Sequence, residues 1–445
     1  MKFLNTIIIL LFCLSFVYAD SNENQERNQN AIQKIYLNGV PHIDKNGNTL
    51  MKYDKNKSFF QIASWGTAIP GEKYGKTYDW KVLKDAGINT VWPWPEISSL
   101  DRLKLAKKYG FQAVLLTPIP EKEMAGINNH PNLIGNCWLD EPIAHWPNME
   151  SLFKDYQNYI ALAKKNAPDL KVFVNDAPGI LGDAGAWWIK WNSETSISCH
   201  DNYPVLADVD SGRTDTLSLG AAKGANGIDK TVSLAREMNN EKKPVWCIVG
   251  TFEGSHEYKQ DFGFRFPTPN QLRSCVYTAI NHGATSIIYF IWDSYVAREG
   301  GLVGMSPNPE AKITNNESNF VATPEQLVNS KANWEMMSQI NKEIKELTPS
   351  ILSPTSTDLD YSVNITGKSP TNNPISCLLK PDLKGGHILL TNNQDNAWLN
   401  VEYTFDKSVK SVEIMFENKK PLKLSDKNSV TINYEPFEAH IIKIN

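Results

Sequence analysis

Hydrophobic and polar positions follow two alternating textures over the first three quarters of the chain. Eight short apolar runs, at 59–65, 88–94, 111–118, 133–141, 171–176, 196–203, 244–252 and 285–292, read as buried strands. Between them apolar residues recur at three- and four-residue spacing, as in Leu100, Leu103 and Ala106 or Leu152, Tyr156 and Ile160, which predicts amphipathic helices. Gly87 and Gly110 stand just past helical stretches and just before strands, where a left-handed helix end is needed. Strand followed by helix, eight times over, predicts an α/β fold: a parallel sheet closed into a (β/α)8 TIM barrel over 34–350.

The flanks have a different texture. Residues 34–58 read as short strands around the turn Asp44-Lys45-Asn46-Gly47-Asn48, a hairpin expected to cap the closed end of the barrel. The polar stretch 20–33 predicts a disordered leader, and the last barrel helix is expected over 324–347, before Pro349. Beyond Pro354, β segments at 375–380, 387–392, 398–405, 409–416 and 430–444, with turns at Gly385-Gly386 and Asn418-Lys419, predict a C-terminal antiparallel β-sandwich over 354–445. It is expected to pack against the barrel rather than to bind sugar, because no exposed aromatic row is evident.

A chain of 445 residues exceeds the about 250–300 that one core supports, in keeping with two domains. Residues 1–19 carry Lys2, an apolar run at 7–17 and small residues at Val17 and Ala19, the pattern of a cleaved signal peptide. The apolar run is short for a membrane span and has no second like it, so an exported, secreted mature chain is expected. The sequons at Asn56, Asn316 and Asn364 are compatible with glycosylation. Six cysteines become five without Cys13, and an odd, widely spaced set predicts buried free thiols rather than a disulfide framework or metal site. A net charge of −4, with no basic cluster, excludes a nucleic-acid-binding field. Thirteen tryptophans are the sharper clue, since Trp65, Trp92, Trp94, Trp138 and Trp292 fall at strand ends where indole faces can stack on sugar rings.

In such a barrel only residues at the C-terminal strand ends converge on one pocket. Glu96, Glu141, Asp176, Asp201, Tyr203, Glu253 and Asp293 pass that filter. Two carboxyl groups on either side of a bond, one protonated and one ionised, are the requirement of glycoside hydrolysis. Asp293 and Asp201 could instead cap helices, Glu253 could be solvated, and His200 reads as a structural hydrogen-bonder. No HExxH or EF-hand pattern occurs, and no cofactor is implied.

The run Trp138-Leu139-Asp140-Glu141-Pro142 at the end of the fourth strand resembles the retaining clan of (β/α)8 glycoside hydrolases with acid/base on strand four and nucleophile on strand seven. His200-Asp201-Asn202-Tyr203-Pro204 is similar to the sixth-strand end of the secreted, hydrolase-like branch of such barrels. Pro267 to Arg273, His282-Gly283-Ala284-Thr285 and Tyr289 to Trp292 are similar to its seventh helix and eighth strand. The resemblance implies Glu141 as acid/base, Glu253 as nucleophile, and Asp140, Asp201, Tyr203, Trp65, Trp94, Trp138 and Trp292 as carbohydrate-binding residues. Two positions depart from the clan: Asp140 stands where an Asn is usual, and Gly250 stands where strand seven commonly carries Glu or Gln. The alternative implied by Gly250 is a non-catalytic carbohydrate-binding or extracellular matrix protein on the same barrel.

Overall fold

The computed structural model describes residues 27–29, 33–73, 75–176, 184–205, 227–254, 264–297, 300–314, 319–369, 373–417 and 420–445. The expected signal peptide, the sequon at Asn316 and the turn Asn418-Lys419 lie outside them.

Eight parallel strands close into a barrel in chain order: β1 Gln61–Thr67, β2 Thr90–Pro93, β3 Gln112–Leu116, β4 Leu133–Asp140, β5 Val172–Asp176, β6 Ser198–Asn202, β7 Val245–Gly250 and β8 Ser286–Phe290. Each falls within, or two residues beyond, its expected segment. Their inward side chains fill the lumen: Trp92 meets Trp65 at 4.6 Å, Phe173 at 5.6 Å and Trp246 at 6.0 Å between ring centroids. The barrel is therefore a packed core open to chemistry only at its ends. The hairpin His42–Ile43 with Thr49–Leu50 closes the lower end, and Ile43 joins the lumen cluster.

The helices around the barrel are α1 Trp80–Asp85, α2 Ser99–Tyr109, α3 Glu121–Ile127, α4 Pro142–His145, α5 Met149–Asn166, α6 Ala184–Glu194, α7 Ile228–Met238, α8 Pro269–His282 and α9 Pro324–Ile351. The stretch at Pro267 to Arg273 has a local cause. Thr268 caps α8 with a reciprocal bond to Gln271, Pro269 supplies the first turn, and Gly283 at φ 114° ends the helix. α9 runs past its expected end, through Pro349 to Ile351. Pro349 sits in the last turn, and burial of Ile351 and Leu352 offsets the single backbone bond that it forgoes.

The C-terminal domain is a sandwich of β9 Tyr361–Thr366, β10 Ile375–Pro381, β11 His387–Asn393, β12 Leu399–Phe405, β13 Val412–Ile414, β14 Lys420–Leu422, β15 Ser429–Tyr434 and β16 Ala439–Ile444. One sheet orders as β9-β12-β15 and the other as β10-β11-β16-β13-β14. The expected single run 430–444 is two strands, because the chain crosses between sheets after Tyr434. Arg27–Gln29, within the expected disordered leader, instead adds an edge strand to β9. Backbone pairing supplies what that polar segment lacks in apolar surface.

The sandwich packs on α8. Ser274 Oγ donates to Asn393 O at 2.8 Å, Asn392 Nδ2 donates to Thr278 Oγ1 at 2.9 Å, and Leu378, Leu390 and Ile441 share one apolar cluster with barrel residues.

Candidate active site

Three neighbouring strands deliver the polar cluster. Asp140 ends β4, Asn175 lies in β5 and Asp201 in β6, all near the C-terminal rim. Glu141 follows β4 with φ 42° and ψ 54°, a left-handed conformation costing a non-glycine residue about 1–2 kcal/mol. Its backbone N–H donates to Asn175 O at 2.9 Å, which ties the turn to β5. Pro142 then starts α4, whose last residue, His145, places Nε2 3.1 Å from Glu141 Oε2. Strain of this kind persists where surrounding contacts over-determine it, commonly at functional sites.

Asn175 Nδ2 donates to Asp140 Oδ1 at 2.8 Å and to Asp201 Oδ1 at 3.0 Å. The Asp201 carboxyl in turn hydrogen-bonds Glu141. Three acids this close cannot all ionise. Burial, and then the charge of Glu141, push Asp201 well above the carboxylate range. The same two causes push Asp140 up to about 7. Burial also works to raise Glu141, yet hydrogen bonds from His145 and Asp201 outweigh it and hold that carboxyl low. The cluster thus keeps a proton on Asp201, hydrogen-bonded to an ionised Glu141. Asp201 is 2 % exposed, whereas the Glu141 side chain is 26 % exposed and Asp140 is open at the strand end, so a ligand can reach Glu141 and Asp140 but not Asp201.

Tyr203 completes the group. Its ring stacks on Phe290 at 5.7 Å and meets Phe252 edge-on at 5.3 Å. Burial, followed by the charges of Asp201, Glu141 and Asp140, raises its hydroxyl pKa, as expected for a hydroxyl facing those acids. Asn175 and His145 were not singled out from the sequence. Asn175 sits beside the flagged Asp176, and His145 follows Glu141 at the i,i+4 spacing of one helical turn, so both had a readable positional signal.

Glu253 lies beyond the end of the seventh barrel strand, on a separate short strand. β7 ends at Gly250, and the chain then enters a short strand, Phe252–Gly254, paired with Gly304 to Leu302. The Glu253 carboxylate accepts from Gln326 Nε2 at 3.0 Å and Phe266 N at 3.3 Å, so both oxygens are engaged at the start of α9. The tryptophans also divide. Trp65 fills the barrel lumen and is 3 % exposed. Trp138 faces outward onto Tyr156 at 5.1 Å and Trp191 at 6.3 Å, because strand alternation gives the lumen to its neighbour Cys137. Neither can floor a sugar subsite. Trp292 is buried against Tyr78, while Trp94 is exposed at the rim over Gly66.

Two further flagged acids, Glu96 and Asp293, are paired with lysines. Glu96 bonds Lys73, and Asp293 lies 2.7 Å from Lys76 rather than capping a helix. His200 is buried edge-on to Trp188 with neither ring nitrogen hydrogen-bonded, and burial pushes its pKa down to about 3. It is a neutral packing residue rather than the expected hydrogen-bonder. The five described cysteines are buried and free. Asn56 is exposed in a turn, and Asn364 lies on β9. Among the described residues no helix is long and apolar enough to cross a membrane.

Comparison with known proteins agrees with the architecture. No protein-family model and no curated protein matches the sequence. Among solved structures, a catalytic mutant of Gan42B, a GH42 beta-galactosidase from G. stearothermophilus, is similar with TM-score 0.53 and 8 % identity over 86 % of this chain and 98 % of that one. A glycoside hydrolase family 5 protein from Bacteroides vulgatus is similar with TM-score 0.51 and 11 % identity over 92 % and 94 %. At this level of identity the likeness is one of fold, a (β/α)8 barrel with a β-sandwich appended.

Proposed function

We propose that this protein is a secreted glycoside hydrolase that cleaves O-glycosidic bonds in a polysaccharide or glycoconjugate, with Glu141 as general acid/base. The observation that carries the reading is the hydrogen-bonded Asp201–Glu141 pair at the C-terminal rim, a buried protonated acid linked to a carboxylate that a ligand can reach. Glu141 relays that proton to the departing glycosidic oxygen, and Asp201 refills it. His145 and the Asn175 carbonyl hold Glu141 in place. Asp140 and Tyr203 line the same site, and Trp94 offers an exposed indole at the end of β2. The segment 1–19 supports export, and the sequons support glycosylation.

The test is hydrolysis of a glycan panel by the full chain and by Glu141→Gln. The expected result is turnover that falls by about 10²-fold or more in the variant while folding is unchanged. Gly250 favours a second reading, a non-catalytic carbohydrate-binding or matrix protein. Sugar binding without turnover, equal in both proteins, would establish it.

A further inference from the structure

Double displacement needs a nucleophile on the face of the sugar opposite the acid. In a retaining enzyme with two protein carboxylates, these stand about 5 to 5.5 Å apart. Asp201 is hydrogen-bonded to Glu141, so these two lie on one side of the bond and cannot flank it. At the end of β7, a Cβ on Gly250 would lie 2.9 Å from Tyr203 Cδ1, so the Tyr203 ring fills the place of a strand-seven side chain. Glu253 is engaged by Gln326 and Phe266. What the rim does offer beside the acid is an exposed carboxylate, Asp140, oriented through one oxygen by Asn175, and the Tyr203 hydroxyl, which feels the charges of Asp201, Glu141 and Asp140. One acceptor and one donor are the complement of a secondary amide, whose N–H donates and whose carbonyl accepts.

We propose, resting on the hydrolase reading above, that the substrate is a β-linked 2-acetamido-2-deoxyhexoside whose own acetamide oxygen is the nucleophile. The carbonyl oxygen bonds to C1 as the C1–O bond to the leaving group breaks. Glu141 gives its proton to the departing oxygen. The amide N–H, acidified in the resulting oxazolinium ion, is held by Asp140, while the Tyr203 hydroxyl orients the carbonyl oxygen before attack. Water then adds to C1, its proton passes to Glu141, and the ring opens to the free 2-acetamido sugar with configuration retained. The attacking oxygen must lie trans to the leaving group, which requires the β anomer in gluco and galacto sugars.

The experiment compares 4-nitrophenyl β-glycosides of N-acetylglucosamine and N-acetylgalactosamine with those of glucose and galactose. It uses the full chain and the Glu141→Gln, Asp140→Asn and Glu253→Gln variants. Expected are at least about 10²-fold preference for the 2-acetamido sugars, similar loss in Asp140→Asn, near-parental rates in Glu253→Gln, and competitive inhibition by an N-acetylglucosamine-derived thiazoline. A trifluoroacetamido substrate, with its weaker carbonyl nucleophile, is slowed. Equal turnover of the 2-hydroxy glycosides, with a 2-fluoro sugar trapped on Glu253, would overturn this proposal and leave the hydrolase reading standing. Sugar binding with no turnover of any substrate would overturn both.

Discussion

The carboxyl group of Asp201 is hydrogen-bonded to that of Glu141, and the two hold a proton that neither would keep alone in water. An Asn at 201 would still donate to Glu141 but could not refill it. Asp201→Asn is therefore expected to lower kcat by about 10²-fold. Without the proton held on Asp201 the alkaline limb of kcat/KM reports Glu141 alone, whose carboxyl is held low, so the limb moves to lower pH. A pH–rate profile checks both, and an unmoved limb would remove Asp201 from the proton path.

Asp140 is raised in the folded state to about 7, by burial and by Glu141. A raised carboxyl means that the folded chain binds more protons than the unfolded one, so stability declines as pH rises from near 4 through the folded value. Asp140→Asn removes that decline. Its melting temperature is expected to exceed the parent's at about pH 8 and to match it near about pH 4. Calorimetry at the two pH values is the check, and equal differences at both would show that Asp140 titrates normally.

Arg273 Nη1 donates to both oxygens of the buried Glu343 carboxylate at 2.8 and 2.6 Å, with Tyr277 OH donating to the same carboxylate at 2.7 Å. Arg273 Nε also donates to Ala439 O at 3.2 Å, so one side chain joins α8, α9 and the sandwich. Removing one partner strands a buried charge, and Arg273→Met is expected to cost about 3–5 kcal/mol in denaturant unfolding. The double change with Glu343→Leu should recover most of that loss.

His440 lies between Glu417 at 2.8 Å and Glu438 at 3.5 Å. Burial opposes its charge, but the two carboxylates prevail and raise it to about 9. Such a gain is complete below the unfolded value and is lost as pH rises through the folded one. His440→Gln should therefore lower the melting temperature most below about pH 6, with the gap closing above about pH 9. A gap independent of pH would mean that packing alone is at stake.

The eight barrel strands and most helices were legible along the chain because apolar period and helix-end chemistry are local. Gly110, for example, marked the end of α2, where it stands left-handed at φ 76°. The carboxylate run at 140–141 was legible for a related reason, since position at a strand end already selects the rim. Burial direction was not. Cys137 faces the lumen and Trp138 the surrounding helices, and in a strand buried on both faces the residue types alone do not announce which of the two points inward. The fate of Glu253 depended on Gln326, 73 positions away, and the Glu141 pairing on Asp201 in another strand. Sequence by itself thus determined the barrel, its sandwich and the strand ends that carry acids. Tertiary structure alone decided which acids share a proton and which are tied elsewhere, because those contacts and pKa shifts act across distances of a few ångströms between residues far apart in the chain.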